Sequence, residues 1–168
     1  MKTQLQFDFI VDKENKSIRI RREFDAELPL VWDAYTKPEL LDQWWAPKPW
    51  KARTKTMDFR EGGHWHYAMC GPAGEEHWGL MSFLKIQVQK MYSGLDCFTD
   101  AEARINKDLP QAKWEVEFTA KGKTTLVEYL STYADLAQLE AIIQMGFKEG
   151  MTAALEGLDE VLLHLKNI

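Results

Sequence analysis

Cysteine is scarce in this sequence, and long apolar runs and an excess of basic charge are missing. Only Cys70 and Cys97 occur, without metal-type spacing, so we expect a reduced, cytoplasmic protein. The net charge is −5, which argues against a nucleic-acid-binding protein, because such proteins present a basic face. No apolar stretch approaches the roughly 20 residues that a membrane-spanning helix needs. The N-terminal segment alternates and carries charge, so it is not expected to be a signal peptide.

What the sequence does contain is typical of one globular domain. Its 168 residues favour a single domain, which would bury roughly 70% of its unfolded surface. We therefore interpret residues 1–168 as one domain, with residues 1–16 as an N-terminal strand extension. No repeat, low-complexity segment or linker interrupts it.

The order of predicted elements is strands, two short helices, more strands and a long helix. QFDFIVD and SIRIRREF alternate in polarity and predict two strands. LPLVWDAY and TKPELLDQWW predict the short helices, each with a proline in its first turn. Six further strand candidates follow, up to TTLVEYLSTY. From Asp135 the apolar period becomes helical, which predicts one C-terminal helix of about 30 residues with Asp135 as its N-cap.

The segment QWWAPKPW, residues 43–50, concentrates three of the seven tryptophans and two of the six prolines. Two prolines forbid a regular helix or a central strand, so the segment should be irregular but stiff. We predict that it forms the rim of a cavity. One of Trp44 and Trp45 should be buried against the C-terminal helix, and the other should lie nearer the rim.

Three stretches resemble a known family. They are REFDAELPLVWDAYTKPELLDQWWAP, MDFREGGHWHYAMCGPAGEEHWG and GFKEGMTAALEGLDEVL, and the resemblance extends over nearly the whole chain from about Ser17. They are similar to AHSA-type domains, named for the activator of the large heat-shock-protein ATPase. These domains belong to the SRPBCC superfamily, together with START lipid-transfer domains and birch-pollen-type allergens.

The resemblance implies an α+β helix-grip fold. In this fold a curved antiparallel sheet of about seven strands wraps around a long C-terminal helix, with two short helices after the first strand. It also implies a hydrophobic cavity between the sheet and the helix. A twisted sheet that closes around one helix tends to leave such a space, which agrees with this expectation.

Alternation along HWHYAMC predicts which side chains face that cavity. Trp65, Tyr67 and Met69 share one face, and we place this bulkier set inside, with Tyr67 as a polar group that could orient a ligand. Aromatic and apolar side chains of this kind line ligand pockets, although they would also suit a solid core. The predicted cavity residues are Trp45, Trp65, Tyr67, Met69, Trp78, Trp114, Phe118, Phe147 and Met151.

Other polar residues are interpreted as structural. His64 and His66 are expected on the outer, solvent-facing side of their strand, and no metal site or cofactor is predicted. Asp58 and Arg60 should form an ion pair that orders the turn at GG. Cys97 should be a buried small apolar side chain, and no catalytic residue is assigned. The arginines of SIRIRREF are expected on a solvated strand face.

Three functions follow as hypotheses. The first is a binder, rather than an enzyme, of a small hydrophobic molecule, lipid-like or polycyclic. The alternatives are a co-chaperone-like interaction domain and an enzyme of the polyketide cyclase or hydrolase kind. Eukaryotic-type activators carry a separate N-terminal domain that contacts the chaperone, and a chain of 168 residues has no room for one, so a full activator role is not expected. A homodimer is compatible with each hypothesis.

Overall fold

A computed structural model describes residues 5–167 of the chain. It contains eight strands and four helices. The strands are β1 (Phe7–Asp12), β2 (Ser17–Phe24), β3 (Lys51–Met57), β4 (His64–Cys70), β5 (Glu76–Gln87), β6 (Met91–Thr99), β7 (Ala112–Lys121) and β8 (Thr124–Tyr133). The helices are α1 (Leu28–Thr36), α2 (Pro38–Trp44), α3 (Leu136–Gln144) and α4 (Phe147–Lys166).

The strands form one antiparallel sheet in the order β1-β2-β8-β7-β6-β5-β4-β3. The predicted α+β helix-grip fold is therefore confirmed. The sheet has one strand more than expected, because the N-terminal extension forms β1 and pairs along β2, so the two short helices follow the second strand. The first four residues of that extension lie outside the described range.

Alternation of buried and exposed residues defines the inner face of the sheet, and two irregularities in strand pairing contribute to its curvature. In β7, buried Ala112, Trp114, Val116 and Phe118 alternate with more exposed residues, as the sequence pattern predicts. The register shifts between Thr54 and Thr56 in β3, and it shifts again within β5. Such bulges bend a strand and increase its twist, so the sheet wraps around the helices on its inner face.

The segment after α2 is held between the inner face and α4. Trp44 is only 1% exposed, and its indole N–H donates to the carbonyl of Ala34 at 2.9 Å. Its ring lies 4.9 Å from that of Tyr35, and its Cβ lies beside Gly157 of α4. Trp44 is thus the tryptophan packed against the C-terminal helix.

One arginine predicted to be solvated is instead part of the core packing. The Arg22 guanidinium pairs with Asp159 of α4 and lies 5.1 Å from the centre of the Phe24 ring. Its side chain is largely buried, whereas Arg21 on the other face of β2 is more exposed. The prediction fails at Arg22 because residue 22 lies on the strand face that the helix covers.

The predicted 30-residue C-terminal helix is wrong in one respect. Asp135 caps its start as expected, accepting a hydrogen bond from the amide of Gln138 at 2.9 Å. The helix is interrupted at Met145 and Gly146, and Gly146 has φ 87°. Two helices result, because this left-handed conformation ends the regular hydrogen bonding of α3, and α4 begins after it.

A glycine exchange tests this interruption. Gly146→Ala should lower the free energy of unfolding by about 1 kcal/mol, because an L-residue is strained at positive φ. Gly157→Ala is the matched control within α4. Its new Cβ would meet Trp44 at an ordinary distance of 3.8 Å, so higher helix propensity should raise stability by up to about 1 kcal/mol. Urea unfolding of both variants measures these changes, and equal effects at the two glycines would contradict the assignment.

Candidate functional site

A cavity of about 330 Å³ lies between the inner face of the sheet and the α3–α4 junction. Strands β4 to β8 form its floor, while the α2–β3 loop and the two C-terminal helices form its walls and mouth. Two inner-face positions that line the cavity carry little side chain and leave room for it. They are Gly79 on β5 and Ala112 on β7.

Tyr67 lies flat over one of these small residues. A Cβ added to Gly79 would meet the Tyr67 ring and hydroxyl at 2.8 Å, so glycine is required for this placement. On its other side the Tyr67 ring stacks on Trp65 with centroids 4.1 Å apart. Burial raises the pKa of the Tyr67 hydroxyl, which therefore stays protonated near neutral pH.

An aromatic wall closes one end of the cavity. The Trp45 ring lies 5.2 Å from Trp65 and 5.5 Å from Trp114, and Trp114 lies 4.9 Å from Tyr129. A separate space of about 20 Å³ lies beyond Trp45, which is room for one water at most. Trp45, the second tryptophan of QWWAPKPW, is therefore only 7% exposed and separates the solid core from the cavity.

The mouth is formed by chain segments that have little regular structure. Pro47 and Trp50 border it on one side, and Met145 and Gly146 border it at the helix junction. The Trp50 ring packs edge-on against His77, with centroids 5.2 Å apart. The predicted rim role of the proline-containing segment thus fits its position.

Asp96 is a polar residue of the cavity that the sequence analysis missed. It lies on the inner face of β6, paired with Met81 on β5 and Ala112 on β7, and it lines the cavity. Within residues 5–167 its carboxyl group has no hydrogen-bond or ion-pair partner. Desolvation alone raises the pKa of Asp96 to about 8.

A sequence signal for Asp96 existed in the segment MYSGLDCFT. Strand alternation places Tyr92, Gly94, Asp96 and Phe98 on one face, and the aromatic members mark that face as inward. An aspartate in this register must point into the interior, where an unpaired carboxyl group is costly. Such an unfavourable position is a recognised sign of a functional site.

Seven of the nine predicted cavity residues line the cavity: Trp45, Tyr67, Met69, Trp78, Trp114, Phe147 and Met151. Trp65 lies behind Tyr67 and Trp45, and Phe118 packs in the core against Trp32 at 5.0 Å. Trp78 borders the cavity, but its pairing places it on the outer face, where its ring lies 4.9 Å from His66. Arg53 and Lys55 lie over the same ring at 5.7 Å.

The predicted structural residues have mixed outcomes. His64 is exposed, but His66 is only 3% exposed, because Trp78 and the end of β6 cover it, and its Nε2 lies 3.1 Å from the carbonyl of Asp100. Asp58 and Arg60 form the expected ion pair, at 2.7 Å. Cys97 is buried as expected, and burial raises the pKa of its thiol to about 11.

Two further observations on the described residues concern metal binding and membrane crossing. Among residues 5–167, no three His, Cys, Asp or Glu side chains are grouped so that they could hold a metal ion. None of the helices in that range combines the length and apolar character needed to cross a membrane.

Comparison with known proteins identifies relatives of the same shape. The family model described as "Activator of Hsp90 ATPase homolog 1-like protein" matches residues 25–163. An Arthrobacter aurescens protein solved by NMR is 30% identical, with a TM-score of 0.88 over 94% of this chain and 91% of that one. A Mycobacterium smegmatis crystal structure is also 30% identical, with a TM-score of 0.86 over 95% and 97% of the two chains.

A curated relative is considerably longer than this chain. It is a tRNA/tmRNA (uracil-C(5))-methyltransferase from Pseudomonas entomophila, 29% identical over 147 residues. The match covers 81% of this chain but 36% of the relative, so the chain spans about a third of that protein's length.

The ionisation of Asp96 should make stability depend on pH. The folded state holds a proton that the unfolded chain releases, since the folded pKa of about 8 exceeds the ordinary 3.8. This contribution to stability is complete below about pH 4 and is lost as the pH rises towards about 8. Asp96→Asn cannot ionise, so its free energy of unfolding relative to wild type should grow by about 1 kcal/mol or more over that range.

Urea unfolding at a series of pH values measures this difference. Asp108→Asn makes the same exchange at an exposed loop residue and controls for the change in net charge. A difference between Asp96→Asn and wild type that stays constant with pH would show that Asp96 ionises as freely in the folded protein as in the unfolded chain.

Proposed function

Because the chain belongs to the Activator of Hsp90 ATPase homolog 1-like family, a family of helix-grip domains, we propose that it binds a small hydrophobic molecule between its sheet and its C-terminal helices. The observation that carries this proposal is the cavity of about 330 Å³ with largely apolar and aromatic walls. Its size falls in the range of small-molecule sites, roughly 300–1,000 Å³.

The lining favours a flat, compact ligand. Rings of Trp45, Tyr67 and Trp114 border the space, and Met69 and Met151 add flexible thioether side chains that adapt to irregular shapes. Burying about 200 Å² of apolar ligand surface would contribute about 5 kcal/mol, before the cost of lost ligand freedom. A polycyclic or short lipid-like molecule meets these conditions.

The mouth supports exchange of such a ligand with solvent. Gly146 and Gly150 leave the α3–α4 junction without side-chain bulk, and a Cβ added at Gly150 would be 4.0 Å from Pro47. The opposite side is stiffened by Pro47 and Pro49. We infer that ligands enter between this stiff loop and the helix junction.

Asp96 favours a second candidate function, an enzyme of the cyclase or hydrolase kind. Such an enzyme needs an acid or base inside its pocket, and the raised pKa of Asp96, about 8, suits that role near neutral pH. A carrier releases its ligand with unchanged mass, whereas an enzyme converts it.

A co-chaperone-type role rests on the family description alone. Recovery of Hsp90 with the tagged chain under native conditions would support it.

Filling the cavity should remove binding. Met151 lines the cavity from α4, so Met151→Arg should weaken binding of the neutral probe 2-naphthylmethanol at least tenfold, because the long side chain occupies the ligand's space. Isothermal titration calorimetry measures the affinity. Native mass spectrometry of gently purified wild-type protein should show a retained small molecule that Met151→Arg loses.

The matched control uses the same exchange on the solvent side of the same helix. Leu163 is 60% exposed, so Leu163→Arg should bind the probe as wild type does. Thermal melting of both variants establishes that they are folded. Unchanged affinity in folded Met151→Arg protein would contradict a binding site in this cavity.

A further inference from the structure

Building on the proposed binding function, we propose that the ligand of this cavity carries a cationic amine that pairs with Asp96. The proposal names the chemical class of the ligand: an aromatic or alicyclic body with one protonated nitrogen. It rests on the position of the carboxyl group, on the charges around it and on the aromatic surfaces that share the cavity.

The position of Asp96 leaves its carboxyl group open to a ligand. On the inner face its lateral neighbours are Met81 and Ala112, and its neighbours along β6 are Gly94 and Phe98. None of these side chains can donate a strong hydrogen bond. Asp96 is partly accessible, and because it lines the cavity we infer that the accessible surface faces the cavity.

Among residues 5–167, no lysine or arginine lines the cavity. The histidine that lines it within this range, His77, lies at the mouth against Trp50. The titratable groups near Asp96 are Tyr67 on β4, Cys97 on β6, and Tyr129 and Tyr133 on β8. Every one of them is an acid with a raised pKa, and a negative Asp96 contributes to each increase. A positive charge that pairs with the ionised form of Asp96 would therefore have to come from the ligand.

The aromatic walls suit the same cation. Ring faces attract ammonium groups most strongly where water is excluded, and tryptophan is the most effective ring. Trp45, Trp114 and Tyr67 border the cavity that Asp96 lines, together with Tyr133. A carboxylate and several aromatic rings around one space are a favourable combination for a protonated amine attached to an apolar body.

A neutral ligand group would use the site less well. A protonated Asp96 could donate to a carbonyl or hydroxyl group, but a charge-assisted hydrogen bond is roughly twice as strong as a neutral one. An ammonium group also stabilises the charged form of Asp96, so binding lowers the pKa of the carboxyl group and releases its proton. This release distinguishes the two modes of binding, because a neutral ligand that needs the protonated acid would bind less tightly as the pH rises.

The test compares two probes of nearly the same shape by isothermal titration calorimetry. 2-Naphthylmethylamine is positively charged near neutral pH, and 2-naphthylmethanol is neutral. At pH 7.5 we expect wild-type protein to bind the amine at least tenfold more tightly than the alcohol. This preference should increase from pH 6 towards pH 8, and titrations in two buffers of different ionisation enthalpy should detect proton release with the amine only.

Two variants assign the preference to Asp96. Asp96→Asn should bind both probes with the affinity of the alcohol, while Asp108→Asn should keep the wild-type preference. The pH series and the proton release need only wild-type protein, so they test the proposal even where Asp96→Asn does not fold.

The failures of the two proposals are distinguishable. Equal binding of both probes by wild-type protein would overturn the amine proposal and leave the proposed function standing. Alcohol binding that is tighter than amine binding and weakens above pH 8 would show that Asp96 acts as a neutral donor, which also overturns it. Binding of neither probe would contradict the proposed function itself.

Discussion

The packing of Trp44 and Trp45 between the sheet and α4 determines how the interior of this protein is divided. Trp44 joins Tyr35 and the glycine side of α4 in a solid core, whereas Trp45 meets Trp65 and Trp114 and closes the end of the open space. Two neighbouring residues thus separate the region that stabilises the fold from the region that can accept a ligand. Interiors are usually filled at crystal-like density, so a cavity of about 330 Å³ beside a tightly packed core needs such a rigid boundary.

The interruption of the C-terminal helix at Gly146 forms the boundary on the other side of the cavity. A continuous helix would present one straight apolar stripe to the sheet, but the break at Gly146 divides this stripe between α3 and α4. Leu139 of α3 is fully buried, and Leu158 of α4 is fully buried at the opposite end, while the junction between the helices borders the mouth. Glycine adopts this left-handed conformation without strain, so the chain can break its helix where the cavity opens to solvent.

Asp96 introduces a conflict between stability and binding in this interior. Its carboxyl group lies among apolar and aromatic side chains, and burial alone accounts for the direction of its pKa shift. A residue of this kind weakens the folded state at neutral pH, in contrast to Arg22, whose largely buried side chain pairs with Asp159. Binding sites frequently retain such unfavourable groups because a ligand supplies the missing interaction.

The sequence by itself determined the fold class, most element positions and seven of the residues that line the cavity. Period-two alternation fixes which face of a strand is apolar, and local motifs such as the Asp135 cap depend only on neighbouring residues. Only the tertiary structure decided the outer position of Trp78, the burial of His66 and Arg22, and the break at Gly146. Those outcomes depend on which strands are adjacent and which face α4 covers, and a helical period alone does not reveal a left-handed glycine. Asp96 lies between these cases. Alternation predicts that it points inward, but its lack of a partner depends on the non-donating side chains beside it on two neighbouring strands, Met81 and Ala112.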